Sequence, residues 1–571
     1  MGAEKKKQLT LTAVFIVLIC LFTGAGFWFR GHPLFTGQGP RWKTDAAAPV
    51  STYVPYEASS DHFVPSATAA PAALSAEEIP AAMSRFHTTE RASVFTFSGL
   101  GNEQELQSVL TALKNTGSRA TFFVTAEEME KFPDQVAAIR RAEQSLGISV
   151  MAAENASAAQ LLKTLQTQAD ALRSQYDAYY EIFVRPTSGS GSTALLKAAA
   201  AGGFRVLTQV KEGVPDTVSR MTRVDEVLPA VFLETEGKLQ RGEIVHFQMG
   251  MFQHSDTLLG NLVERVIGEK CIFPVVSADE MAANTQLQYT YPLPESQILP
   301  SVKDKIYPGH LAGKTPEAVF ETIRRGYIGN YWVMPPQYFP GFSAEEARQL
   351  DRDGLISNSG NYVFLTFDDW GTDENVEKLL AVLEKHGAIG TFFVRTQYVP
   401  YNPNLLRVIA GAGHTIGAHT DSHMPLSTEV TPGHFVELTE EERAALEKDL
   451  VQCYNTLQSI IGDMVDGDGK PSLSRLFRPP TLAVGKSGLK TVFDCGYTHA
   501  IEGYYSTGDY AAVNARVLAN KIKENVRSGS VLVMHFSDSS IYTAEALDLA
   551  LTELEKSGRN YHFVGLNKVF G

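Results

Sequence analysis

The chain is poor in the residues that bind metals or form crosslinks through sulfur. Only four cysteines, Cys20, Cys271, Cys453 and Cys495, occur in 571 residues, and no two of them form a C-x-x-C pair. That pattern argues against a thiolate zinc site and a dense disulfide framework. A bridge between Cys453 and Cys495 stays open if the compartment is oxidising; otherwise these thiols read as small buried hydrophobes. Excess positive charge is also missing. The formal net charge is −14, so the basic face that a nucleic-acid binder uses to neutralise phosphates is not expected.

Long apolar runs are scarce too, with one exception near the start. Leu9 to Phe29 carries no charge and as a helix would reach roughly 30 Å, the depth of a bilayer core. Lys5, Lys6 and Lys7 precede it, which predicts a cytoplasmic N-terminus and an external body. The run is longer than the apolar region of a cleaved signal peptide, so residues 1–30 are expected to be a cytoplasmic tip and transmembrane anchor, with a secreted protein as the alternative. Residues 31–80 follow with Pro33, Pro40, Pro49, Pro55, Pro65, Pro71 and Pro80 among Ala, Ser and Thr. Few side chains there repay ordering of the backbone, so the stretch is expected to be a flexible tether.

The rest can build cores. Hydrophobic residues make up 44% of the chain, and the length allows about three to four domains. A repeat organises them. Val94-Phe95-Thr96-Phe97 matches Phe364-Leu365-Thr366-Phe367, and Thr121-Phe122-Phe123-Val124 returns as Thr391-Phe392-Phe393-Val394. Between these lie Leu106, Val109, Leu110 and Leu113 against Val376, Leu379, Leu380 and Leu383, at amphipathic helical spacing, with Gly117 and Gly387 as helix stops. Strand, helix, strand at this spacing predicts βαβ units and parallel sheets. Looser matches continue to Val184-Arg185-Pro186-Thr187 against Phe477-Arg478-Pro479-Pro480, and to the apolar strands ending near Gln248 and His535. Matching glycines sets Gln248, not His246, opposite His535. The reading is an α/β protein with two lobes, 81–285 and 356–571, joined by a connector over 286–355. In the connector, Thr315-Pro316 and Ser343-x-x-Glu346 predict helix starts. The aromatic cluster of Tyr331, Trp332, Tyr338, Phe339 and Phe342 reads as packing between the lobes.

Only the second lobe keeps a chemistry-bearing set. Asp368 and Asp369 end an apolar strand, where neighbouring residues point apart and one can bind a metal while the other acts as a base. His419 and His423, four apart, are expected to share one face of a helical turn. Two histidines and one carboxylate leave positions for water, the pattern of catalytic rather than structural zinc. Arg478 can fix a carboxylate, and His535 ends another apolar strand where a neutral-pH proton donor suits a general acid. His386, His414 and His434 read as structural or surface residues.

These motifs, Thr-Phe-Asp-Asp, His-Thr-x-x-His, Arg-Pro-Pro and the strand-end His, resemble the polysaccharide deacetylases of the NodB-homology type. The resemblance covers roughly 356–571. It implies a distorted (β/α) barrel, in tandem with a degenerate copy over 81–285, and a divalent metal, usually zinc, with cobalt or nickel as alternatives. It makes Asp368 the base, Asp369, His419 and His423 the ligands, Arg478 the residue orienting Asp368, and His535 the acid. It places an oxyanion donor at the backbone N–H near Thr481. Where the family has an Asp-Trp pair, this chain has Asp509-Tyr510, and Asp509 is expected to pair with His535. In the first lobe Ser98 and Gly99 replace the aspartates, and Ala153 and Ser157 fall near the histidine positions if a four-residue gap is allowed. The implied activity is metal-dependent removal of acetyl groups from N-acetylated sugars of an external polymer, such as peptidoglycan or a chitin-like glycan. The alternatives are a carbohydrate O-acetyl esterase, for instance on acetylxylan, and a non-catalytic glycan-binding scaffold.

Overall fold

A computed structural model describes residues 79–151, 156–187, 189, 191–233, 237–330 and 339–570. The expected anchor and nearly all of the tether lie outside the described residues, as do Tyr331, Trp332 and Tyr338. Among the described residues no helix is long and apolar enough to cross a membrane.

Two parallel sheets dominate. The first contains β1 (Ser93–Ser98), β2 (Thr121–Val124), β3 (Ser145–Val150), β4 (Val184–Pro186), β5 (Lys211–Glu212), β6 (Ile244–Gln248) and β7 (Val275–Val276), ordered β4-β3-β2-β1-β6-β5 with β7 also on β1. The second contains β8 (Tyr327–Ile328), β9 (Tyr362–Asp369), β10 (Thr391–Val394) and β11 (Thr415–Ala418). After a small hairpin of β12 (Thr428–Thr431) and β13 (His434–Val436), it continues with β14 (Leu473–Phe477), β15 (His499–Ile501), β16 (Tyr505–Ser506), β17 (Val531–His535) and β18 (His562–Phe563). Its order is β16-β17-β9-β10-β11-β14-β15-β8, with β18 on β9. Each sheet is a parallel half-barrel whose edges are bridged by one short stretch, 206–212 between Val184 and Val245 in the first and 499–506 between Phe477 and Leu532 in the second, consistent with the expected distorted (β/α) barrels.

The repeat is visible in the registers. Ser98 pairs with Gln248 as Asp368 pairs with His535. Phe123 faces Gly147 as Phe393 faces Gly417. A Cβ on either glycine would come within 2.6 or 2.7 Å of the facing phenylalanine ring, so only glycine lets β3 and β11 carry that ring. The offset of 270 residues between Phe123 and Phe393 also sets Ser149 against His419, with no gap. Ser149, rather than Ala153, therefore stands at the first histidine position. The same offset would set Ala153, which lies outside the described residues, against His423; Ser157 instead caps the next helix.

Both amphipathic helices form as the spacing predicts. Helix α1 (Glu103–Asn115) buries Leu106, Val109, Leu110 and Leu113, and α2 (Asp373–Lys385) buries Val376, Leu379, Leu380 and Leu383. Thr315 and Ser343 cap the two connector helices, Pro316–Gly326 and Ala344–Gln349. The connector does more than join lobes. Its β8 pairs with β15 and extends the second sheet. Phe339 and Tyr327 pack edge to face in the second lobe's core instead of between the lobes. Cys453 and Cys495 are both buried as free thiols, so the open possibility of a bridge between them is not realised.

The lobes are locked by a buried polar seam. Arg241, 1% exposed, donates from Nε to Asp373 Oδ1 at 2.6 Å and also bonds Glu377 and the Thr89 carbonyl. Asn404 accepts from the Thr88 N–H at 3.0 Å and donates to the Phe86 and Arg241 carbonyls. Asp373 begins α2, the helix that leaves β9, so the seam braces the strand that carries Asp368 and Asp369.

Candidate active site

The C-terminal ends of β9, β11, β14 and β17 converge, as expected for ligand sites in parallel sheets. Asp368 is 2% exposed and Arg478 is fully buried. Arg478 Nη1 donates to both Asp368 oxygens at 3.0 Å. Its Nη2 donates to Thr366 Oγ1 at 3.0 Å, its Nε reaches the Ile501 carbonyl, and its guanidinium lies over the Phe393 ring. A fork satisfied on every side can hold one carboxylate in one orientation. Burial nevertheless pushes the Asp368 carboxyl above its usual value, against the pull of Arg478 and His535. Arg478 thus moderates the desolvation of Asp368 and does not reverse it, which raises the basicity of the carboxylate.

Asp369, His419 and His423 form the one cluster of potential metal ligands among the described residues, with ligand atoms all within 4.8 Å of one another. Both histidine Nε2 atoms lie 3.7 Å from Asp369 Oδ1. Ligands of a tetrahedral zinc sit about 3.3–3.5 Å apart, so this donor set fits with a small contraction. His419 Nδ1 donates to the Arg478 carbonyl at 2.8 Å, which leaves Nε2 as the free acceptor that a metal requires. Burial, with His423 beside it, lowers the His419 pKa to about 3, and burial lowers that of His423 as well. Both are neutral donors near pH 7.

The histidine pair does not sit on a helical turn. Residues 419–423 form a loop after β11, with Thr420 at φ 60° and His423 at φ 68°. Left-handed backbone at such residues is strained and persists only when its surroundings fix it. Here Asp449, on α3 (Glu440–Ile461), accepts from the Asp421 N–H, the Ser422 N–H and the Ser422 hydroxyl. Thr420 Oγ1 accepts from the Met424 N–H, and Thr396 donates to Asp421. Asp369 (φ 82°), Thr481 (φ 61°) and Leu482 (φ 60°) are left-handed too. Strain is concentrated in the segments that carry the site.

On the opposite wall, His535 Nδ1 donates to Asp509 Oδ1 at 2.7 Å, and its backbone N–H bonds Asp509 Oδ2 at 2.7 Å. Thr543 Oγ1 donates to the same carboxylate at 2.6 Å. Burial alone would lower the His535 pKa. The bond to Asp509 and the charges of Asp509, Asp368 and Asp369 override it and raise the pKa to about 9. The Tyr510 ring stands edge-on to His535 at 5.3 Å. Thr481, itself exposed, follows Pro479-Pro480 in a turn whose Pro480 and Leu482 are buried. His414 and His386 are engaged elsewhere, with the Gly390 N–H and with Asp548 and Glu555.

Sequence reading missed Asp449 and Thr543, whose carboxylate and hydroxyl only tertiary folding brings to the site. It also missed Glu502, fully buried behind Arg478, which accepts from Tyr327 of β8 at 2.7 Å. In the first lobe the same positions hold Ser98, Ser149, Arg185 and Gln248. His246 bonds Thr96 and Ser98 there and is kept neutral by burial.

The polysaccharide deacetylase family model matches residues 87–207 and 356–500. A peptidoglycan-N-acetylglucosamine deacetylase of Bacillus cereus is 25% identical over 39% of this chain and 96% of its own length. One from Listeria monocytogenes is 25% identical over 37% of this chain, which spans only 39% of that protein. A peptidoglycan-N-acetylmuramic acid deacetylase of Bacillus subtilis is 27% identical over 35% of this chain and 68% of its own length. The polysaccharide deacetylase domain is thus found in this chain in two segments, the second of which holds the carboxylates, histidines and arginine gathered at the strand ends.

Proposed function

We propose that the second lobe is a metal-dependent hydrolase that removes acetyl groups from N-acetylated sugars of a cell-wall or chitin-like polysaccharide. The observation that carries this reading is the convergence of Asp369, His419 and His423 between two buried pairs, Asp368–Arg478 and Asp509–His535. A divalent metal on those three residues, with zinc favoured by two imidazoles and one carboxylate, supplies Lewis acidity to water and to the acetyl carbonyl when bound.

The protein's own groups do the rest. Asp368, basic through burial and aimed by Arg478, takes the proton of the attacking water. The backbone N–H near Thr481 donates to the oxygen that gains charge as the carbonyl carbon becomes tetrahedral. His535, held as imidazolium by Asp509, gives its proton to the departing sugar nitrogen. An acetyl ester would place the sugar oxygen there instead.

In this reading the first lobe is a non-catalytic copy. It has no base at Ser98 and no ligand at Ser149, and Gln248 replaces the acid. The N-terminal apolar run anchors the chain in a membrane, with the body outside. Acetate release is the test, measured with zinc or cobalt on N-acetylglucosamine oligomers, peptidoglycan and acetylated xylan. Release from the first two supports an N-deacetylase. Release from xylan alone would make the lobe an esterase, and no release under any condition would leave a binding protein.

A further inference from the structure

The first lobe keeps the arginine of the active site and loses the carboxylate that the arginine holds. Arg185 on β4 pairs with Ser149 on β3, the place that Arg478 takes beside His419. It is 9% exposed. In the second lobe that arginine has Asp368, Thr366 and the Ile501 carbonyl. In the first lobe Ser98 stands where Asp368 would be, and its hydroxyl is turned to His246 and to Gln248 Oε1 at 2.8 Å. The Arg185 side chain makes no hydrogen bond or ion pair with a described residue. Glu212 is near enough to act on its charge but does not pair with it; its Oε2 accepts from Gln209 at 2.8 Å.

In place of the missing carboxylate is a cavity of about 620 Å³, lined by Arg185, Thr187, Gln209, Glu212, His246 and Gln248 among others. The guanidinium faces this cavity without a protein acceptor, and its planar fork matches a carboxylate. The volume falls in the range of small-molecule sites, roughly 300–1,000 Å³, and is far larger than an acetate ion needs. The lining contains hydroxyls, amides and carboxylates and no Phe, Tyr or Trp, which suits a polyhydroxylated ligand better than a flat or apolar one.

We propose that this cleft is a binding site for an acidic sugar, whose carboxylate sits on Arg185 in the place that Asp368 takes in the second lobe. The ring hydroxyls face Thr187, Glu212 and Gln248. The site needs no metal and stands apart from the catalytic reading of the second lobe.

The test is binding, read by calorimetry on the full chain carrying Asp369→Ala, so that acetate release plays no part. The probes are N-acetylmuramic acid, glucuronic acid and N-acetylglucosamine. An acidic sugar should bind at least tenfold more tightly than N-acetylglucosamine, and whichever acid binds identifies the source of the carboxylate. Arg185→Gln should remove that preference. Ser98→Asp guards against misfolding of the first variant, because it returns the missing carboxylate to Arg185. It should raise the thermal midpoint while abolishing binding of the acid. Equal binding of the neutral and acidic sugars, or acid binding unchanged in both variants, overturns the proposal.

Discussion

Replacing Asp509 by Asn probes the proposed proton donor, His535. Asp509 is 1% exposed and touches His535 twice and Thr543 once. The His535 side chain is 17% exposed, so solvent weakens the pair little. Its pKa rises from 6.5 to about 9, a preference for the charged form of about 3 kcal/mol. Because the folded value lies above the unfolded one, this stabilisation is complete below about pH 6.5 and disappears as pH rises through about 9. Asp509→Asn keeps the shape and removes the charge. Burial then acts on His535 unopposed by its nearest anion, so the alkaline limb of kcat/KM should fall from about pH 9 towards 6.5 or below. Thermal midpoints of variant and parent should differ by roughly 5 °C at pH 6. The gap should narrow above pH 9, leaving a pH-independent remainder from the bonds to Thr543 and the His535 N–H. The assays are a pH–rate profile of acetate release at saturating metal and thermal scans across the same range. An unmoved alkaline limb, or a midpoint gap constant with pH, would refute the pairing argument.

Three further outcomes follow from named contacts. Asp449→Ala frees the loop of His419 and His423 without touching a ligand, and should weaken metal binding about 10–100-fold by competition with a chelator. Arg241→Met leaves Asp373 buried and unpaired at the seam between lobes, and should destabilise the protein by about 3–5 kcal/mol in denaturant unfolding. On the acid side, activity should fall as Asp368 protonates, at a pH above that of an ordinary aspartate because burial raises its pKa; a limb at or below the ordinary value would contradict that desolvation.

Much of this was legible in the sequence because it rests on periodicity. The paired Thr-Phe-Phe-Val strands and the i, i+3, i+4, i+7 leucines and valines fixed two βαβ units. The glycine register set Gln248 opposite His535, as the strand pairing does. Asp369, His419 and His423 were readable as residue types at a spacing. Their backbone was not, since a left-handed Thr420 and His423 depend on Asp449, which is 26 residues beyond His423. No gap is needed to reach the counterpart of His419, because β3 continues in register to Ser149, a residue type that carries no signal of its own. The two-residue β8 is too short to carry a pattern and exists because β15 offers it an edge. The balance at Asp368 also escaped a sequence argument, because the burial that outweighs Arg478 is a property of the folded interior.

The proposed function needs one metal-dependent site, in the second lobe, to remove acetyl groups. Metal content and acetate release measured on the same preparations of parent, Asp368→Asn and His419→Ala test it most directly. The account predicts one metal per chain in the parent and in Asp368→Asn, little in His419→Ala, and acetate release from the parent alone. Undiminished release by Asp368→Asn, or full metal retention by His419→Ala, would contradict it.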